Sequence, residues 1–348
     1  MIKINESPVL TSKNYNVNYF ELNEKILYQS FNNLINVEQK NQQHIIQNKL
    51  INLPHTLLHD KLDMQIQNKC NFAKNYVFNT NTHKPFELNF DNNNTLLEVI
   101  DVTVNSQIIA KAILNFTAND TMYHNGVLKI TVKENANLDL AIIYDMNSLS
   151  NNFISIEAFC DTNSQLNLNI FDFGAQNSVQ KLNVNLNGNL SKVNINSVYF
   201  GNNNNRLSLN YLINVYGAKC SAKMDVCGVL SENAYKNFLG TINFERGSSK
   251  SIGSENEHCV MLSNTAKTNS TPILLCGEED VDGKHSSSIG KIDNDELFYI
   301  MSRGISKQEA IKMLVKAKLA NISNKLFDED LKNRIIKRIE EKIDEQNK

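Results

Sequence analysis

From Leu182 to Gly188 the chain reads Leu-Asn-Val-Asn-Leu-Asn-Gly, with apolar and polar residues in strict alternation. A period of two marks a strand with one face buried. The alternation returns at Leu166–Phe171, Val193–Phe200, Leu207–Leu209 and Ile242–Phe244. Glycines punctuate these runs: Gly174, Gly201 and Gly228 stand 27 residues apart, with Gly188, Gly217 and Gly240 between them. Short strands, breakers at corners and a near-constant period are what a solenoid of stacked β coils requires. Inward Leu, Val, Ile and Phe then form apolar ladders, and outward asparagines are free to bond amide to amide between coils. A β-sandwich with coincidental glycine spacing is the competing architecture. The poor strand propensity of asparagine speaks against it.

On either side the period changes. Asn23–Lys40, with Ile26, Leu27, Phe31, Leu34 and Ile35, reads as helical, as does Ile45–Leu53. Pro54 separates these from His55–Lys74, where Leu57, Leu58, Leu62 and Met64 line another short helix. Beyond Lys291 the chain is charged and helical. Asp293 with Glu296 predicts a capped helix and Gly304 its stop; Ser306 with Glu309 repeats the device ahead of Ile311, Leu314, Val315 and Leu319. Asp328 caps a third stripe of Ile335, Ile336, Ile339 and Ile343. The expected organisation is mainly β: a mixed helical N-terminal region over 1–95, a parallel β-helix over 96–290 and a helical domain over 291–348.

Composition narrows the partners. The 348 residues carry 35 Lys+Arg against 37 Asp+Glu, a formal charge of −2, which removes the basic footprint of a nucleic-acid or anionic-membrane binder. Asparagine fills about one position in six, well above ordinary usage. Between residues 161 and 217 only Asp161, Asp172, Lys181, Lys192 and Arg206 are charged, so asparagine and serine must supply the outer surface there. No run approaches the roughly 20 apolar residues of a membrane span. Met1–Ser7 lacks a secretory pattern. The six cysteines (Cys70, Cys160, Cys220, Cys227, Cys259, Cys276) are scattered without a CxxC pair, and a cytoplasmic location is expected.

No phosphate loop, dinucleotide fingerprint, HExxH or GxSxG is present, and the chain is not expected to be an enzyme. Three clusters remain. Glu255-Asn-Glu257-His258-Cys259 sets acids, imidazole and thiol side by side, but neighbours on a strand point to opposite faces, so an outer β corner is the favoured reading. Cys276-Gly-Glu-Glu-Asp-Val-Asp-Gly-Lys-His285 is acid-rich, without the spacing of a calcium loop. Its His285 stands just ahead of Ser286–Ser288, where β pattern gives way to capped helices. Cys220 and Cys227, the third cluster, suit small buried positions.

The string Pro272-Ile-Leu-Leu-Cys276-Gly-Glu-Glu-Asp-Val281-Asp-Gly-Lys-His285-Ser-Ser-Ser-Ile289-Gly-Lys-Ile-Asp293-Asn-Asp-Glu296-Leu-Phe-Tyr299-Ile-Met-Ser-Arg303-Gly304 closely resembles the C-terminal signature of the SufB/SufD family, scaffold components of SUF iron–sulfur cluster assembly. Gly228-Val-Leu, Phe238-Leu-Gly-Thr-Ile-Asn-Phe244 and Met261-Leu-Ser-Asn-Thr-Ala266 look like its preceding coils; before Gly217 the likeness is architectural only. The resemblance implies a right-handed parallel β-helix, and the chain is more similar to SufD than to SufB. It implies a SufB-type scaffold partner and a SufC-type ABC ATPase that performs the hydrolysis. No cofactor is expected to be bound stably by the isolated chain; a transient iron–sulfur cluster forms at a subunit interface.

In the family a SufD histidine at the position of His285 is implicated in nascent cluster formation opposite a SufB cysteine. Where SufB-like chains carry that cysteine, six residues before Pro272, this chain has Ala266, and the usual Cys-Ser-His-Gly-Ala context becomes Gly283-Lys-His285-Ser-Ser. Cys276 is the weaker second candidate for metal or cluster contact. For ATPase docking the helices after Asp293 and Ser306 offer Phe298, Tyr299, Met301, Arg303, Ile311 and Leu314; they are also expected to cover the open end of the solenoid. Rival expectations are a SufB-like homodimeric scaffold and a β-helix carbohydrate-active enzyme. The charge-poor coil surface argues against the latter.

Overall fold

A computed structural model describes residues 1–7, 18–28, 36–42, 45–49, 53–91 and 95–345. Its centre is a parallel β-solenoid of two facing nine-stranded sheets, each with eight parallel strands and one antiparallel strand at its N-terminal end. Successive strands alternate between the sheets, so each strand stacks on the one two strands earlier in the sequence. Asn137 pairs with Gln165, 28 residues on, Gln165 with Lys192, 27 on, and Ser221 with Ile252, 31 on. The coil length therefore drifts. Gly201 aligns with Leu230, and Gly228 aligns with Tyr199, so the 27-residue glycine spacing holds for one step and then breaks.

Alternation in sequence becomes layers in space. Ala110, Leu138, Leu166, Val193 and Ala222 form one inward ladder, all buried. Outward, the predicted amide ladders are present. Asn167 donates to Asp139 (2.6 Å) and Asn194 to Asn167 (2.7 Å); on the other sheet Asn214 donates to Asn183 (2.9 Å) and Asn243 to Asn214 (3.2 Å). Corners use asparagine differently. Asn135, Asn163, Leu190, Lys219 and Lys250 each take positive φ at successive turns of one edge. Asparagine tolerates that left-handed backbone better than most side chains.

The N-terminal region corrects the helical expectation. Glu24–Tyr28 is a 3-10 turn, Val37–Lys40 and Ile45–Lys49 are strands, and Phe31, Leu34 and Ile35 lie outside the described residues. The β-branched pair Ile45-Ile46 is paired antiparallel to Phe72–Phe78, and Val37–Lys40 to Phe86–Asp91. Sheet pairing outweighs a short apolar run that fits either period. Parallel pairing already includes Phe72–Phe78 and Phe86–Asp91, upstream of residue 96. Among the described residues here, one α-helix forms, α1 (Asp60–Lys69), capped by His59. It packs with Ile2, Ile4, Phe20 and Leu22 on the outer face of one sheet, against Val99, Tyr123, Phe153 and Val179.

The C-terminal caps hold. Asp293 accepts from the Asp295 N–H (2.8 Å) at the start of α2 (Asn294–Met301), Ser306 from Glu309 (3.2 Å) at α3 (Lys307–Ser323), and Asp328 from Leu331 (2.8 Å) at α4 (Glu329–Glu345). Their place in the fold differs from expectation. Val315, Leu319, Ile322, Leu331, Ile335, Ile339 and Ile343 lie flat against Ile113, Ile143, Phe171, Val198 and Val229, the outer face of the other sheet. Arg338 bridges to Asp145 through two 2.8 Å contacts and anchors α4 there. The last coil, strands Lys267–Cys276 and Val281–Lys291, is left uncovered, the latter exposed along nearly its whole length.

Candidate functional site

That uncovered coil carries both metal or cluster candidates. His285 lies in the middle of the Val281–Lys291 strand, rather than in a junction loop, and Cys276 ends the Lys267–Cys276 strand. Register gives their direction. Ser251, Gly253, Glu255, Glu257 and Cys259 point into the lumen, and their partners in the last strand are Val281, Gly283, His285, Ser287 and Ile289. On the facing sheet Phe244 points inward, and Cys276 is its partner. Residues paired in register share a face. His285 and Cys276 thus occupy core-facing positions of a coil with no further coil above it, and both are exposed. Gly283, next to His285 on the inward face, approaches Phe244 and Leu274 across the lumen, which places Cys276 toward Val281, two inward positions away from His285.

Beneath this mouth lies a buried polar cluster. Glu257 Oε1 accepts from Lys236 Nζ (2.6 Å) and the Tyr199 hydroxyl (3.1 Å); Oε2 accepts from Ser270 (3.0 Å) and Ser287 (2.9 Å). The Lys236–Glu257 ion pair is inaccessible on both sides. One carboxylate therefore ties its own strand to four others, including both strands of the last coil. Gly228 permits this, because a Cβ there would stand 2.3 Å from the Tyr199 ring that reaches over it. Glu255, two residues earlier, is as buried but different. Neither of its oxygens makes a well-formed hydrogen bond, and burial together with the neighbouring Glu257 pushes its pKa up to about 8, against the Ile273 backbone N–H beside it.

These residues were read as an outer corner from the sequence; they belong to a continuous strand, Ser251–Met261, whose odd positions line the lumen. The signal was available in parity. Lys236 shares its inward spacing with Phe238, Ile242 and Phe244, and a lysine in that series needs a buried partner. Among the described residues no three His, Cys, Asp or Glu side chains converge as a metal-holding group. Cys220 and Cys227 are both buried, as expected, but on different surfaces: Cys220 bonds Ser191 at a corner, and Cys227 packs under α3.

The proposed docking residues divide. α2 has no buried residue; Phe298 is 73% and Tyr299 58% exposed, with Met301 also exposed and the Arg303 guanidinium stacked 4.6 Å from the Tyr299 ring centre. Ile311 is half-buried against the α3–α4 core, and Leu314 is half-buried too, so neither is a free surface residue.

Residues 87–318, most of the solenoid with α2 and the greater part of α3, match the family described as "SUF system FeS cluster assembly, SufBD core domain". The chain belongs to the SufBD family. Among its relatives, the iron–sulfur cluster assembly protein SufD of Bacillus subtilis is 37% identical over 116 residues, 33% of this chain and 26% of that protein. SufD of Escherichia coli is 25% identical over 226 residues, 65% of this chain and 53% of that protein. A SufBD family protein of Galdieria sulphuraria, ycf24, is 24% identical over 165 residues, covering 47% of this chain and 75% of its own length. The chain thus spans about a quarter and about half of the two SufD proteins it matches. No helix among the described residues is long and apolar enough to cross a membrane.

Proposed function

We propose that this SufBD chain is a SufD-like, non-catalytic scaffold subunit of an iron–sulfur cluster assembly complex, pairing through its last coil with a SufB-type subunit and presenting α2 to a SufC-type ATPase. The observation that carries the reading is the asymmetry of the solenoid. Its first coil ends in two short antiparallel strands, whereas its last presents an exposed edge strand eleven residues long with His285 near the centre. Such an edge is a template for another chain. A neutral imidazole and a thiolate are both ligands for iron, so a cluster under assembly, as cargo, would meet His285 and, less directly, Cys276. Ala266, where SufB-like chains have a cysteine, leaves the opposing thiol to the partner and favours the SufD assignment.

The test is reconstitution of the chain with SufB-type and SufC-type subunits, followed under anaerobic conditions by UV–visible absorption of the assembled cluster. His285→Ala should lower the cluster yield several-fold while the subunits still co-elute; an unchanged yield refutes the ligand role. Separately, Phe298→Asp combined with Tyr299→Asp should abolish capture of the ATPase and leave the thermal melt nearly unaltered, since both side chains are largely exposed. Retained capture would move the docking site elsewhere. Self-association into a stable two-chain species without a SufB-type partner would instead mark a homodimeric scaffold.

A further inference from the structure

Where three strands of one sheet begin, the surface holds a groove of about 530 Å³, lined by Asn204, Arg206, Asn233, Tyr235, Thr265 and Lys267. Three coils build it by one rule. Arg206, Tyr235 and Lys267 each open a strand and pair in register, and two residues before each stands Asn204, Asn233 or Thr265. None of the six is acidic. The Arg206 guanidinium lies over the buried Phe20 ring, 4.6 Å from its centre, and Tyr235 stacks on the same ring. Arg206 is half-buried, yet among the described residues it makes no hydrogen bond and no ion pair. Glu21 offsets the burial of its charge only through space, and Glu232 of the same corner is committed to the Asn203 N–H. A cation withdrawn from water without a counter-charge is costly. Lys267, two strand spacings or about 10 Å further on, is exposed and likewise unpaired among the described residues. The Tyr235 hydroxyl accepts from Asn269 (3.1 Å), which leaves its own proton to donate.

We propose that this groove binds a small molecule through its phosphate group, with Arg206 and Lys267 as the anchoring cations. The planar fork of an arginine suits two phosphate oxygens at once, and a lysine ammonium serves as a point charge for a third. Asn204, Asn233 and the Tyr235 hydroxyl add neutral donors around them. Together these N–H and O–H groups outnumber the lone pairs of a single carboxylate, which favours phosphate as the anion. The volume falls within the range of small-molecule sites. Phe20 touches no ligand in this reading. It is a positioning residue, held under Arg206 by the pairing of Ile2–Ile4 with Phe20–Leu22. The site goes beyond the scaffold reading and does not depend on it.

Inorganic pyrophosphate is the probe, titrated calorimetrically into the full chain at constant ionic strength without divalent ions. One ion per chain is expected. Arg206→Gln and Lys267→Gln should each raise the Kd about tenfold or more. Arg206→Lys, which keeps the charge and loses the fork, should fall between Arg206→Gln and the unaltered chain. Lys219→Gln, an exposed lysine at the edge that also holds Leu190 and Lys250, should leave the Kd unchanged. If Arg206→Gln does not fold, the exposed Lys267→Gln carries the test alone. No saturable heat, or a loss in Lys219→Gln equal to that in Lys267→Gln, overturns the inference. Citrate bound as tightly as pyrophosphate overturns the assignment to phosphate. If pyrophosphate does not bind while Arg206→Gln weakens pairing with a SufB-type subunit, the groove is a protein contact: the small-molecule site fails and the scaffold reading stands.

Discussion

Replacing Lys236 with methionine is expected to destabilise the chain by about 3–5 kcal/mol, the cost of stranding a buried carboxylate whose partner has gone. The volume is nearly kept, so the loss is electrostatic. Glu257 would retain Tyr199, Ser270 and Ser287 as donors, but no counter-charge. Urea unfolding reads the change. Adding Glu257→Gln to Lys236→Met should restore at least half of it, because the amide carries no charge: its oxygen still accepts from hydroxyls on one side, and its NH2 donates to hydroxyl oxygen on the other. A loss below about 1 kcal/mol in the single variant would show that the pair contributes no more than a surface ion pair does. The damage should be concentrated in the last coil, since Oε2 holds Ser270 and Ser287 in its two strands.

The second large effect is steric. Gly188 to alanine is expected to cost about 3 kcal/mol, the upper part of the overpacking range. Its Cβ would come 1.9 Å from the Thr162 nitrogen and 2.3 Å from the Asp161 carbonyl carbon, both backbone of the preceding coil. A backbone neighbour cannot rotate away, so the coils must part at that corner. Gly217 stacks above it, its own Cβ position 2.3 Å from the Gly188 carbonyl oxygen, and the strain would travel to the next turn. Gly290→Ala is the control, with nothing within 4 Å, and should change stability by less than about 0.5 kcal/mol. Thermal melts of the two variants separate these outcomes; equal melts would mean the corners are looser than their contacts.

Much of the solenoid was legible because period two is a direct image of the strand. Leu182, Val184 and Leu186 alternate in sequence and face the core in fact. The capped helices were legible for a similar reason: Asp293, Ser306 and Asp328 act on backbone within three residues. What failed was whatever depended on distant pairing. Ile45-Ile46 fits a helix or a strand locally, and only Val77 and Phe78 decide between them. The glycine period misled because corner glycines answer to the coil below, as Gly188 does to Thr162, while strand glycines such as Gly228 answer to one bulky ring. The candidate site divided along the same line. The position of His285 followed from motif resemblance, but Lys236, Glu255 and Glu257 converge from strands about twenty residues apart, and parity alone hints at them. Likewise the apolar stripe of α3 and α4 predicted a buried face without saying which surface would bury it; it was the flat side of the sheet, not the end.

The two unlike ends of the solenoid also set how far the molecule can grow. A stack of coils is in principle endless, each edge inviting the next chain, and a head-to-tail contact that does not close produces fibres. Here the N-terminal edge ends in two short antiparallel strands, Val37–Lys40 and Ile45–Lys49, a poorer template than the eleven-residue strand at the C-terminal edge. Association of two such long C-terminal edges is end to end and stops at two solenoids. A chain that lost Val37–Lys40 and Ile45–Lys49 would acquire a second adhesive end, and its aggregation should turn from dimeric to filamentous.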